Sequence, residues 1–291
     1  MEQVKKPKII YILGTGHSGS TLLELILSTS PESFSVGGFR YLDRYVHGSH
    51  GVVLDDSGYK AKESPMWSEI AKNKQEFIIK EPTEPTLSFK NRLKILFTGR
   101  PLVIPNRYND FDLYKAVIEK SNEIENHEID IIIDSSKTLA RFIELNEDES
   151  LDVYVIHLIR DVRGVVNSNR KLGKNVYKSA KYWVTDNLYI KSYLKKSVRE
   201  DRQMRIKYKD FVKEPEKYIE IINKKFDLNI DFNNYIDEIN KQESYRFAGN
   251  GMRNKKFEGI KKDFKWKYEL PLFYRIILTP IQWFFYKVLF R

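Results

Sequence analysis

Between Leu13 and Leu22 the chain reads Gly-Thr-Gly-His-Ser-Gly-Ser-Thr. Gly14, Gly16 and Gly19 let a backbone turn tightly and bring its N–H groups against an anion, while the side chains of Ser18, Ser20 and Thr21 can donate hydrogen bonds to it. The flanks suit an anion loop. Lys-Ile-Ile-Tyr-Ile-Leu before it is an apolar, β-branched run of the kind that forms a buried parallel strand, and Leu-Leu-Glu-Leu-Ile-Leu after it has helical spacing. A strand, a glycine turn and a helix starting near Ser20 make a phosphate cradle, because the first turn of a helix offers unpaired amides and the positive end of its dipole. Gly14, Gly19 and Thr21 match the P-loop spacing of nucleotide triphosphatases, but Ser20 stands where that pattern has its lysine. A kinase or ATPase built on this loop would lack the cation that grips the β- and γ-phosphates.

Two further strand-to-polar-turn units follow. Asp130-Ile-Ile-Ile-Asp-Ser-Ser-Lys places Lys137 just past three isoleucines, and Asp152-Val-Tyr-Val-Ile-His-Leu-Ile delivers Arg160 at its end. In open α/β sheets ligands bind at the carboxyl ends of strands, so Lys137 and Arg160 belong with the glycine loop. Asp161 can cap a helix, which puts Ser168 two turns along it, within reach of the same ligand. A guanidinium supplies a bidentate, charge-assisted grip on phosphate that a neutral group cannot.

Taken in order, these segments resemble the sulfotransferases that use 3′-phosphoadenosine-5′-phosphosulfate, in a bacterial, carbohydrate-sulfotransferase-like branch. The loop is similar to that family's 5′-phosphosulfate loop, a cationic residue followed by Ser-Gly-Ser/Thr-Thr, with His17 on the cationic position. The resemblance implies that Gly16, His17, Ser18, Gly19, Ser20 and Thr21 hold the phosphosulfate and that Arg160 and Ser168 hold the 3′-phosphate. It also implies that Asn250, Gly251 and Arg253, in Phe-Ala-Gly-Asn-Gly-Met-Arg, close over the nucleotide. His17 and Lys137 are the implied catalytic groups at the transferring sulfonate. Relatives often carry a Gly-Glu pair whose glutamate is the base, but Gly38 occupies that position, so Asp43 is the candidate base, with His47 and His50 as substitutes. The implied reaction is in-line, metal-independent transfer of a sulfonate to the hydroxyl of a carbohydrate or glycoconjugate, leaving adenosine 3′,5′-bisphosphate. A P-loop-type nucleotide kinase and a non-catalytic nucleotide-binding protein remain as alternatives. Beside a phosphosulfate the charged form of His17 is favoured, which predicts a pKa above the ordinary 6.5 or so.

The resemblance implies a P-loop-like three-layer α/β sandwich, a mainly parallel sheet with helices on both faces, to position such a site. The 291 residues suffice for one domain, 1–291, with a substrate-side surface insertion over about 48–110 and an apolar helical tail over about 269–291. Leu87 to Arg107 reads as irregular, Phe111 to Glu125 and Ser179 to Lys196 as helices, and Arg205 to Phe211 as a further strand. Trp183, on the second of those helices, is a candidate to stack on adenine. The net charge of +10 suits an anionic nucleotide; lysines scattered among acidic neighbours argue against nucleic acid. With no cysteine, disulfides and thiolate zinc sites are impossible. Met1 to Lys8 leads into the first strand without the apolar run of a signal peptide, which predicts a cytoplasmic protein. The tail is apolar and aromatic, but Pro271, Arg275, Pro280 and Lys287 interrupt it short of the ~20 residues a spanning helix needs. It reads as a core helix, or as a basic interfacial helix giving peripheral contact with the inner membrane face.

Overall fold

The computed structural model describes residues 5–39, 42, 45, 54–73, 87–102, 109–246 and 256–291. Five strands, β1 (Lys8–Leu13), β2 (Ser33–Gly37), β3 (Ile131–Lys137), β4 (Asp152–Ile159) and β5 (Gln203–Lys207), form one sheet in the order β2-β3-β1-β4-β5. All four pairings are parallel, so every strand ends at the same edge. β1 lies between β3 and β4, with Leu13 in register with Lys137 on one side and His157 on the other. The loop after β1 therefore opens between the ends of its two neighbours.

Side chains alternate across a strand, and β1 shows what that does here. Ile9, Tyr11 and Leu13 enter one core, with α4 (Asp110–Glu125), α5 (Leu139–Asn146) and α7 (Val176–Ser197). Ile10 and Ile12 enter the other, with α1 (Ser20–Leu27) and, further along the chain, α8 (Tyr208–Phe211), α9 (Pro215–Phe226) and α10 (Tyr235–Lys241). Burial on both faces is why the strands read as continuous apolar runs. A third cluster joins α6 (Val162–Lys171) and α7 to the inner face of α12 (Leu272–Leu289) through Val162, Val165, Trp183, Leu278 and Leu289. The apolar tail is thus core on one side.

Three expectations need correction. The stretch expected to be irregular contains α3 (Phe89–Thr98), started by Ser88, whose hydroxyl accepts from the Asn91 N–H, and stopped by Gly99 in the left-handed conformation. The expected strand from Arg205 to Phe211 is β5 only to Lys207; α8 follows at once and turns Tyr208 back towards the sheet edge. The insertion is not all surface: Met66 and Trp67, just before α2 (Ser68–Lys72), are fully buried. The Trp67 indole donates to the Tyr245 carbonyl oxygen (2.6 Å), and buried Asp56 pairs with Arg246 (3.0 Å). These contacts pin residues 54–73 to the segment that leads into 247–255, which lies outside the described residues.

Two buried polar groups tie together elements on the first side of the sheet. Arg141 on α5 is fully buried and donates to Asp110 of α4 (2.9 Å) and Glu144 (3.0 Å). His157 on β4 donates from Nε2 to Asn187 Oδ1 on α7 (2.9 Å), while its Nδ1 is buried with no partner among the described residues. A proton on Nδ1 would have no acceptor there, and burial drives the His157 pKa down to about 3. The unfolded chain takes up that proton below about pH 6.5 and the folded chain does not, so stability falls as pH falls below the unfolded value. At about pH 5 the loss relative to about pH 7 is roughly 2 kcal/mol from this group alone. Urea unfolding of wild type and His157→Gln at both pH values checks it: the variant should lose less stability on acidification by about that amount, even if it starts lower.

Candidate functional site

The glycine loop is held by its backbone. Gly14 N–H donates to the Lys137 carbonyl oxygen (3.2 Å), tying the start of the loop to the end of β3. A Cβ on Gly14 would stand 2.7 Å from the Leu158 carbonyl oxygen, closer than real contacts allow, so only glycine passes between the two strand ends. Gly19 has φ +96°, and a Cβ there would meet the Tyr208 ring at 2.5 Å. Gly16 is different. A Cβ at Gly16 would meet nothing within 4 Å, so the space above it is open.

The loop then runs into α1, whose N-cap Gly19 supplies no side-chain cap and whose first turn, Ser20 and Thr21, is buried. Ser18 Oγ is also buried and has no hydrogen-bond partner among the described residues. A buried helix end with uncapped amides beside an unpartnered hydroxyl has the donor set that suits an anion. Glu24, one turn further, is buried and accepts from Ser35 of β2 and Ser135 of β3 (2.7 Å each), which anchors α1 to both strands.

Around the loop stand cations. His17 and Lys137 both have positive φ, 63° and 71°, at the ends of β1 and β3. Such backbone costs energy for a residue with a side chain; Asn126 and Asp227, which share it, end helices, whereas His17 and Lys137 do not. Arg160, almost fully buried, donates to the His17 carbonyl oxygen (3.0 Å) and to Asp263 (2.8 Å), and its guanidinium lies 5.1 Å from the centroid of the Tyr208 ring. The Trp183 indole donates to the Arg160 carbonyl oxygen (3.0 Å). A Cβ on Gly164 would stand 3.0 Å from Arg160 Nε, and the Ser168 hydroxyl donates to the Gly164 carbonyl oxygen (3.0 Å). Although burial alone would raise the Asp263 carboxyl, the Lys265 N–H and Arg160 hold it below the ordinary range.

The structure thus gathers His17, Ser18, Gly19, Ser20, Thr21, Lys137 and Arg160, with Gly16 facing open space and Ser168 one turn of helix beyond Gly164. Asp43, His47, His50, Asn250, Gly251 and Arg253 lie outside the described residues. Trp183 is not an adenine platform: it is fully buried in the core under α12. Asp134 likewise turns into the core, accepting from the Tyr114 hydroxyl (2.8 Å). Sequence reasoning missed Tyr208, whose surroundings in the sequence look architectural and which floors Gly19 and Arg160, and Asp263, the carboxylate that Arg160 holds. It also missed Lys174, just after Gly173 at the end of α6, whose charge acts on His17 together with Arg160 and Lys137.

The His17 pKa lies below the ordinary value, lowered by burial and then by the charges of Lys174, Arg160 and Lys137. The expected rise belongs to a state with an anion beside it; in the protein alone the direction is the reverse. Those opposed directions give a linkage prediction. An anion entering the loop offsets the three cations and favours imidazolium, so binding takes up a proton and tightens as pH falls through the His17 pKa. Calorimetric titration with adenosine 3′,5′-bisphosphate or pyrophosphate at about pH 6.5, in two buffers of different ionisation enthalpy, should show more proton uptake in wild type than in His17→Asn, since the ligand's own phosphates, which ionise at about pH 6, contribute alike to both. Equal uptake in both would assign the proton elsewhere.

No family model matches this chain, and no curated protein does. Among solved structures the chain is similar to the sulfotransferase domain from the Synechococcus PCC 7002 olefin synthase (18% identity, TM-score 0.48), with 97% of this chain and 96% of that one covered. It is similar also to the sulfotransferase domain from the curacin biosynthetic pathway, at 16% identity and TM-score 0.48 over 96% of this chain and 98% of that one. A third is a sulfotransferase from Mycobacterium avium, at 13% identity and TM-score 0.42 over 85% and 71%.

Proposed function

We propose that this protein is a sulfotransferase that moves a sulfonate from 3′-phosphoadenosine-5′-phosphosulfate to an acceptor hydroxyl, with a carbohydrate or glycoconjugate as the expected acceptor. The observation that carries the reading is the Arg160–His17 contact: one guanidinium, bonded to the backbone of the glycine loop, couples an anion site made of amides to a second cationic position at the end of the next strand. A nucleotide with phosphate groups at both 3′ and 5′ positions fits two such positions; a plain triphosphate does not use the second.

The donor set fits that co-substrate. The amides and hydroxyls from Gly16 to Thr21 would hold the 5′-phosphosulfate, and Arg160 with Ser168 would hold the 3′-phosphate. Binding a phosphate at Arg160 requires the guanidinium to share or release Asp263, so part of the binding energy is spent on that exchange. His17 and Lys137 lie where positive charge stabilises the leaving phosphate, and fixed donors in a site screened from water are worth more than the same groups in solution. Near neutral pH the lowered His17 pKa keeps much of the free protein's imidazole neutral; the anion itself recruits the proton.

Two measurements test the reading. At a hundredfold excess over the dissociation constant, adenosine 3′,5′-bisphosphate should add about 2.7 kcal/mol of stability, and ATP much less at the same concentration. Equal thermal shifts for the two would point to a kinase or a general nucleotide binder. Arg160→Ala should weaken bisphosphate binding by on the order of 1.5–3 kcal/mol, the cost of one charged hydrogen bond. Asp263→Asn should act in the opposite sense and tighten it, since the competing carboxylate is gone. If titration shows Arg160→Ala unchanged, the 3′-phosphate is held elsewhere. Mass spectrometry of an acceptor library incubated with labelled donor then identifies what is sulfated.

A further inference from the structure

α12 has two faces. Leu278, Gln282 and Leu289 are buried against the protein. On the other side Leu272, Phe273, Ile276, Trp283 and Phe284 are each more than half exposed and, at 100° per residue, fall within an arc of about 120°. Single exposed apolar residues need no explanation; a continuous stripe of five large ones does. No described helix is long and apolar enough to cross a membrane.

Bordering the stripe is a groove of about 860 Å³ between α12, the start of α6 and the end of β5. Trp283 belongs to both, and Lys287 of the groove stands within the same arc of α12. The groove is lined by Arg163, Lys207, Lys209, Lys267, Lys287 and Arg291, and by one carboxylate, Asp161, which Arg163 already holds at 2.6 Å. Aromatic rings stand under these cations: Lys287 lies 3.7 Å from the Trp283 centroid, Arg163 4.0 Å from that of Trp266, and Lys207 4.5 Å from that of Phe290.

We propose that this face docks the protein on an anionic lipid bilayer, with α12 lying in the interface, its apolar stripe among the acyl chains and the basic groove against the headgroups. An interfacial helix needs this combination: Trp, Phe and Leu on one side, Lys and Arg along its border, and too little apolar length to span. Each basic residue near an anionic surface adds to the attraction. A second copy of the chain fits less well, because pairing this face with itself would set six cations against six. Nucleic acid would use the cations and leave the apolar stripe in water. The inference rests on α12 and its groove alone and stands independently of the sulfotransferase reading.

Co-sedimentation with vesicles of phosphatidylcholine alone, and with about a quarter of it replaced by phosphatidylglycerol, tests this at about 0.1 M and about 1 M salt. The protein should bind the anionic vesicles at least about tenfold more tightly than the neutral ones, and lose that preference at high salt. Lys267→Gln and Lys287→Gln should each weaken binding about fivefold. Ile276→Asp, at an exposed position where folding is not at stake, should weaken it by more than either and remove any blue shift of tryptophan emission seen on binding. The proposal is overturned by binding to neither vesicle, by equal binding to both, or by unchanged binding in all three variants. A dimer in sedimentation velocity that Ile276→Asp dissociates, without vesicle binding, would overturn it in favour of self-association.

Discussion

Everything at the site hangs on how closely the backbone after β1 must pass its neighbours. The Gly14 amide reaches the Lys137 carbonyl while its α-carbon lies against the Leu158 carbonyl, so the loop is clamped between β3 and β4 before it turns. Parallel pairing makes this possible, because it brings three strand ends to one edge and lets one hydrogen bond join two of them. At its other end the loop is pressed on Tyr208, where Gly19 has no room for a side chain. An anion site built from amides works only if the amides do not move when the charge arrives, and these two contacts provide that rigidity.

The second constraint is electrostatic. Burying Arg160 beside Lys137, Lys174 and His17 without an anion would be costly, and the protein lessens the cost in two ways. Asp263 and the His17 carbonyl accept from the guanidinium, and the Tyr208 ring faces it. Burial first, and then the charges of Lys174, Arg160 and Lys137, favour the neutral form of His17. On the proposed function, an incoming phosphate would replace the carboxylate and restore the imidazolium with the cations already in place. Asp263 partners Arg160 in the free protein and, on that proposal, would compete with the ligand.

The parts legible in the sequence are those where a residue type has one physical use. Isoleucine runs between polar turns are buried parallel strands, and both Lys137 and Arg160 sit where those runs end. Ser88 and Gly99 are equally explicit helix signals, yet the helix between them is hidden by pattern: Phe89 and Phe97 are largely exposed and Ile95 alone is fully buried, so the apolar residues do not trace a core-facing stripe. Trp67 was unreadable for the opposite reason. It stands in a polar, turn-rich stretch, and the group its indole bonds, the Tyr245 carbonyl, is 178 residues away.

Asp263 and Tyr208 show the same limit inside the site. Tyr208 opens α8 one residue after β5, and Asp263 comes between the segment 247–255 and α11 (Trp266–Glu269). Neither has a neighbour in sequence that announces a ligand. What joins them is Arg160, which bonds one and faces the other, and the arginine could be read because it ends a strand. A charge that must be buried recruits partners from wherever the fold brings them, so its position is encoded locally while its environment is encoded by the whole topology. For this reason a motif reading finds the cation on which the site is centred, and only the folded chain shows that the cation is already shared.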